Sequence, residues 1–416
     1  MRILVAIIWI LSVGPLAAAP AYVLAPDRVF DGETMHEGWR VRVEDGRIAA
    51  AGTTVDETGA SVIDLSGMTL TPGLIDLHSH VLLHPYDETS WNDQVLKESV
   101  AERSVRAANH LGATLMAGFT TLRDLGTEGA GYADVGLKQA LEKGVIPGPR
   151  LLVVGPAIVA TGSYGPKGFR EGVNPPQGAE EASGVEGVIA ATRHQIAGGA
   201  DWVKVYADYR WGPNGEARPT FSENELRAIV ETAASSGRKV SAHAGSDEGV
   251  RRAVEAGVST IEHGDDASLD TLRLMAKKGV ALCPTLAATE ANSRYQGWDG
   301  SPATMPDGVK EKHALIDRAR KAHVTLCNGS DVGVFDHGDD AWELELLVAY
   351  GYTPIEALRA ATSTDAKIIG MEKEIGGVAP GMKAELAAFE GDPSSDITAL
   401  SKPRFVMQAG KVVRRP

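Results

Sequence analysis

The chain carries only two cysteines in 416 residues, Cys283 and Cys327, so no disulfide framework organises its fold. It is also short of positive charge: 41 lysines and arginines stand against 55 aspartates and glutamates, a formal net charge of −14. Without a positive field to attract phosphate, nucleic acid and anionic membrane surfaces are excluded as partners. Beyond residue 21 no apolar run approaches the ~20 residues that a bilayer-spanning helix needs. Short-period repeats and long blocks of like charge are missing as well. What remains is an ordinary globular composition, 43% hydrophobic and 23% charged. Its length suffices for one large barrel and a small second domain.

The N-terminus is separate. Met1-Arg2 supplies a positive charge, Ile3 to Val13 form an apolar run, and small residues follow. This reads as a cleaved secretory signal over residues 1–21. Ala19-Pro20-Ala21 fits the small-x-small cleavage pattern, which puts the cut before Tyr22. An uncleaved anchor is the alternative. Export implies a periplasmic or secreted protein with no membrane attachment after cleavage. Cys283 and Cys327 end the apolar runs Val-Ala-Leu-Cys and Val-Thr-Leu-Cys. They are expected as buried small hydrophobes, with a disulfide between neighbouring strands as the alternative.

Residues 22–70 read as short strands broken by turns, with a hairpin signal at Asp45-Gly46. The stretch 376–416 looks similar, so both chain ends are expected to build one small β-sandwich domain. Between them, residues 71–375 alternate strand and helix. Eight apolar strands are expected: Leu74–His80, Thr120–Leu125, Leu151–Ala157, Trp202–Ala207, Val240–Ala244, Thr260–His263, Ala281–Thr285 and Thr325–Asp331. Helices are expected between them, among them Trp91–Ala117, Ser222–Ser236, Ser246–Ala256 and Ser268–Lys278, the second opened by a Ser222/Glu225 capping box. The fold class that follows is α/β, a (β/α)8 TIM barrel.

Polar residues recur where these strands end. In Thr71-Pro72-Gly73-Leu74-Ile75-Asp76-Leu77-His78-Ser79-His80, strand alternation aims His78 and His80 the same way, and two imidazoles at that spacing can share one ion. Lys204 interrupts the apolar strand Asp201-Trp202-Val203-Lys204-Val205-Tyr206, where an ammonium is costly unless paired or neutralised. His243, His263 and Asp331 close three later strands. Each alone reads equally well as a satisfied polar group; the ordered set does not.

Together these residues resemble the amidohydrolase superfamily, in which a His-x-His on strand one is followed by Lys, His, His and Asp on strands four, five, six and eight. The resemblance covers nearly all of residues 22–416. It includes the return Gly381-Met382-Lys383-Ala384-Glu385-Leu386, where Glu385 stands in place of the usual Asp. It is nearest to the imidazolonepropionase-related group, with its prolidase-type dipeptidases and ochratoxin-degrading amidohydrolases. The resemblance implies two divalent ions, zinc by ligand type, one on His78, His80 and Asp331 and the other on His243 and His263. A carboxylated Lys204 would bridge them. It further implies hydrolysis of a small amide or dipeptide, with Asp331 shuttling the proton, and a homo-oligomer.

Tyr206 shares the face of Lys204 and is a candidate donor to the oxyanion or to a substrate carboxylate. Tyr164, in the loop 160–168, His337 and His84 are further candidate substrate contacts. Arg123-Asp124 reads as a buried ion pair. His36, His110, His194, His313 and His323 need no functional explanation. The competing readings are a cyclic-amide hydrolase and a metal-binding barrel without activity.

Overall fold

The computed structural model describes residues 21–416. The leader read over residues 1–21 therefore lies, but for Ala21, outside the described residues. Among these, no helix is long and apolar enough to cross a membrane.

Both chain ends build one mixed eight-stranded sheet. Its path runs Lys411–Arg414, Pro403–Gln408, Leu386–Glu390, Ala60–Pro72, Ala21–Phe30, Arg40–Glu44, Arg47–Gly52, with Met35–Glu37 beside Ala21–Phe30. Arg40–Glu44 alternates half-buried and buried residues, as a strand with one covered face must. Asp45 and Gly46 turn the hairpin with φ of 47° and 77°, the left-handed pair that a two-residue loop requires. Leu24, Val41, Val43 and Ile48 pack with Leu386, Phe405 and Met407, so neither end has a core without the other. The expected sandwich is here one continuous sheet. The parallel ladder of Ala21–Phe30 along Ala60–Pro72, with a register shift between Pro26 and Arg28, joins the N-terminal hairpins to the C-terminal strands.

The middle of the chain is α/β with parallel strands. Leu74–Ser79, Phe119–Asp124 and Arg150–Leu152 form one sheet. Ile158–Ala160, Val203–Tyr206, Val240–Ala244, Thr260–His263 and Ala281–Cys283 form another, with Glu180–Ala182 on its edge. Hydrogen bonds connect the two at both ends. Asp201 and Trp202 donate to the Val153 carbonyl, while Leu326 and Val332 bridge Leu282 and Ser79.

Two expected strands are less regular than their sequences suggest. The third stops at Leu152, because Gly155 adopts φ 71° and Pro156 has no N–H to give a ladder. The last, through Asn328-Gly329-Ser330, takes its partners individually: Asn328 Nδ2 donates to the Ile75 carbonyl and Ser330 Oγ to Asp76. The expected helix Trp91–Ala117 is two, Trp91–Lys97 and Val100–Met116. Glu98 is extended and Ser99 caps the second by accepting from the Glu102 N–H. The capping box of Ser222 and Glu225 is formed, and Ser246 and Ser268 cap the next two helices.

Cys283 and Cys327 are disulfide-bonded, with Cα atoms 4.8 Å apart, which replaces the expectation of unpaired apolar cysteines. The Leu282–Leu326 bridge brings the two segments side by side, a proximity hidden by their separation of 44 residues. Closing a loop of that length is expected to stabilise the fold by about 4 kcal/mol. Denaturant unfolding with and without reductant measures it, and a difference below about 1 kcal/mol would contradict the loop-entropy account.

Candidate metal centre and active site

His78 and His80 end their strand buried, with each ring already held through Nδ1. His78 Nδ1 lies 3.0 Å from Glu262 Oε2, and His80 Nδ1 lies 2.9 Å from the Gly126 carbonyl. Both Nε2 atoms consequently face Asp331 Oδ1, at 3.5 and 3.3 Å. His263 follows the same rule from another strand, its Nδ1 2.7 Å from Thr285 Oγ1. Such anchoring fixes the tautomer and leaves the opposite nitrogen for a ligand. Ligand atoms of His78, His263 and Asp331 all lie within 4.8 Å of one another. His243 completes the group, its ring centroid 4.5 Å from that of His263.

The backbone bends to achieve this. Glu128, His263, Thr285 and Asp331 all adopt positive φ, between 49° and 75°. Non-glycine residues in that region cost of order 1–3 kcal/mol each and gather at functional sites.

Burial sets the electrostatics. It holds the His78 imidazole down to about 4, against the pull of Asp331, and drives His243 and His263 well below the ordinary histidine value. Three neutral imidazoles are the protonation states that a divalent ion needs. His80 goes the other way: burial opposes its charge, but the Asp331 carboxylate outweighs it and raises the ring to about 9. The pull of Asp331 on the His80 ring marks a place where positive charge is favoured. Lys204 is fully buried, and desolvation lowers its amine to about 8, opposed by Glu262 and Asp331. His78, His243 and His263 all feel its charge. The donor set of imidazoles, one carboxylate and a buried amine fits divalent metal.

Beneath the histidines lies a network that the sequence did not disclose. Glu262 accepts from Ser241 Oγ, Thr260 Oγ1 and Arg123 Nη2 while touching His78. Arg123 thus has a buried ion pair, but its partner is Glu262 rather than Asp124, at 3.0 Å. Neighbours on a strand point to opposite faces, and Asp124 instead accepts the Val81 N–H. The signal was present in Thr260-Ile261-Glu262, whose period of two puts Thr260 and Glu262 on one side.

A cavity of about 290 Å³ opens over the cluster, lined by His78, His80, His243, His263 and Asp331 and by Tyr164, Tyr206, Tyr209, Glu128 and Arg210. Tyr206 stacks on His243 at 4.5 Å and donates to Glu128 Oε1 at 3.4 Å; Tyr164 donates to Glu128 Oε2 at 2.6 Å. His84 and His337, expected as substrate contacts, stand outside this lining. His84 is clamped between Glu88 and Glu98 at 3.0 and 2.9 Å, and His337 stacks on His110 while reaching the Leu83 carbonyl. Loop direction after the strand, which sequence spacing does not reveal, turns both away. Glu128, Asp208 and Asp265 are the acidic residues of the lining that no motif flagged.

Comparison with known proteins agrees with this geometry. The chain is 31% identical to an ochratoxinase of Aspergillus niger over 378 residues, 83% of this chain and 76% of that one. It is 27% identical to an imidazolonepropionase of Geobacillus thermodenitrificans, covering 96% and 95%. A prolidase crystallised with N-methylphosphonate-L-proline superposes with a TM-score of 0.83 at 30% identity, over 95% of this chain and 100% of that one. Residues 69–413 match the model of the amidohydrolase family, to which this chain therefore belongs.

Proposed function

We propose that the chain is an exported, binuclear metal-dependent amidohydrolase that cleaves the amide bond of dipeptides or N-acyl amino acids. One observation carries the reading: His78, His80, His243, His263 and Asp331, from four separated segments of the chain, converge on one cavity beside a buried Lys204. The hydrogen bonds linking the two parallel sheets at both ends support a closed (β/α)8 barrel with this cavity at its mouth. The Cys283–Cys327 disulfide supports an oxidising compartment, hence the periplasm or the exterior.

Divalent ions, zinc by ligand type, would supply an activated water and a polarised scissile carbonyl. His78, His80 and Asp331 would hold one and His243 and His263 the other, with Lys204 carboxylated on Nζ between them. A carbamate turns an unfavourable buried ammonium into an anionic oxygen ligand, and the lowered amine of Lys204 favours the neutral form that reacts with carbon dioxide. Asp331, an anion held below the ordinary carboxylate range by His78 and His80 against its burial, takes the proton of the attacking water and returns it to the leaving amine. The small cavity, with four tyrosines and Arg210 on its wall, suits a substrate of dipeptide size.

A panel of dipeptides and N-acyl amino acids tests this by release of free amino acid. Chelation is expected to abolish release and zinc to restore it. Turnover unaffected by chelation, or no release from any member, overturns the reading. Hydrolysis of cyclic amides but of no linear one would favour the alternative suggested by the likeness to imidazolonepropionase.

A further inference from the structure

Glu128 is buried to 2% exposure in the wall of the cavity, yet among the described residues no Lys, Arg or His nitrogen comes within 4.0 Å of its carboxylate oxygens. Its oxygens are held by neutral donors instead. Trp91 Nε1 at 3.0 Å and Tyr164 OH at 2.6 Å both donate to Oε2, while Oε1 receives only the long 3.4 Å contact from Tyr206. The nearest guanidinium, that of Arg103, is spent on the main-chain carbonyls of Leu82, Thr127 and Glu128 itself. A carboxylate has about four acceptor sites, so Oε1 retains capacity on the side of the tyrosine that stacks on His243. Glu128 also adopts φ 49°, a strained backbone at the tip of its loop. An oriented, buried anion without a cationic partner is costly to keep unless something outside the chain neutralises it.

We propose that Glu128 receives the free α-ammonium group of the substrate, so that the enzyme acts on dipeptides and other aminoacyl amides in preference to N-acyl amino acids. This rests on the amide-hydrolase reading and narrows it. The ammonium donates to Glu128 Oε1. The carbonyl one carbon away from that nitrogen then lies toward the histidine cluster, to which Glu128 is tied through Tyr206 and His243. Trp91 and Tyr164 keep the carboxylate aimed.

The test compares two substrates of equal shape, L-alanyl and isobutyryl amides of the same C-terminal amino acid, in which a methyl group replaces the ammonium. Wild type is expected to prefer the alanyl substrate in kcat/KM by on the order of tenfold to a hundredfold, the scale of a charged hydrogen bond. Glu128→Gln is expected to lose that preference, because kcat/KM falls further on the alanyl substrate, mainly through KM, than on the isobutyryl one. Glu128→Asp should restore part of it. A wild type that cleaves both equally, or favours the isobutyryl compound, overturns the proposal and leaves the amide-hydrolase reading intact, since amides are still cleaved. Equal losses on both substrates in Glu128→Gln would also overturn it, because Glu128 would then only brace Tyr164 and Tyr206. If neither compound nor any other amide is hydrolysed, the underlying reading fails first. The wild-type comparison stands even if the variants do not fold.

Discussion

Lys204→Ala is expected to lower kcat/KM for amide hydrolysis by on the order of a thousandfold or more, about 4 kcal/mol of transition-state stabilisation. Lys204 is 1% exposed, and its charge bears on three of the histidines and on Asp331, so no second side chain is placed to substitute for it. Deleting it removes the only proposed ligand common to both ions. Metal content should fall from two ions per chain to one or fewer, measurable by elemental analysis of dialysed protein. Folding should survive, because alanine takes away a buried amine and leaves no unpaired cation behind. Carboxylation adds a further check. Only the neutral amine reacts with carbon dioxide, so reconstitution of stripped enzyme should need bicarbonate. At a fixed concentration of dissolved carbon dioxide it should also slow about tenfold per pH unit well below the lowered amine value of about 8. Activity of the variant within tenfold of wild type would remove Lys204 from the site.

The second large effect falls on stability. Glu262→Gln should destabilise the fold by roughly 3–5 kcal/mol, the usual result of taking one partner from a buried ion pair. Arg123 would keep its charge at 0% exposure without the carboxylate it pairs with, left to neutral acceptors such as the Leu77 carbonyl and Thr260 Oγ1. The denaturant midpoint should drop with the slope unchanged. Arg123→Met combined with Glu262→Gln should regain a good part of the loss, because no unpaired charge remains. Although burial alone would raise the Glu262 carboxyl, Arg123 and His78 outweigh it and hold it well below the ordinary value. A depressed carboxylate contributes stability above its unfolded value of ~4.3, and that contribution is lost as pH falls toward the folded value. Wild type should therefore lose more stability than the variant between pH 5 and pH 3. Because Glu262 also orients His78, metal affinity should weaken by roughly 10–100-fold in the variant. A loss of unfolding free energy under about 1 kcal/mol would show that the pair is replaceable.

How far the site could be read along the chain differs residue by residue. His78, His80, Lys204, His243, His263 and Asp331 were legible because a polar group at the end of an apolar strand conflicts with its surroundings, and such conflicts recur in order. Tyr206 and Tyr164 were legible as neighbours of those positions, but their hydroxyls turn out to hold Glu128. Glu128 itself was not, since a glutamate in Gly126-Thr127-Glu128-Gly129 looks like any solvated loop residue until Trp91 and Tyr164 close over it. His84 and His337 were misplaced for the converse reason: their spacing from the strand ends is right, but the loops carry them to Glu88, Glu98 and His110.

The order of apolar strands and capped helices, the two β-rich ends and the ligand types are local properties, written in alternation, serine caps and side-chain chemistry. Partnerships across the fold are not local. Cys283 finds Cys327, Arg123 chooses Glu262 over its neighbour Asp124, and the two chain ends merge in a single sheet only once parallel strands lie side by side. Periodicity along a strand says which face a side chain takes; which residue meets it there is decided by strand register and curvature, and these depend on the packing of the entire chain.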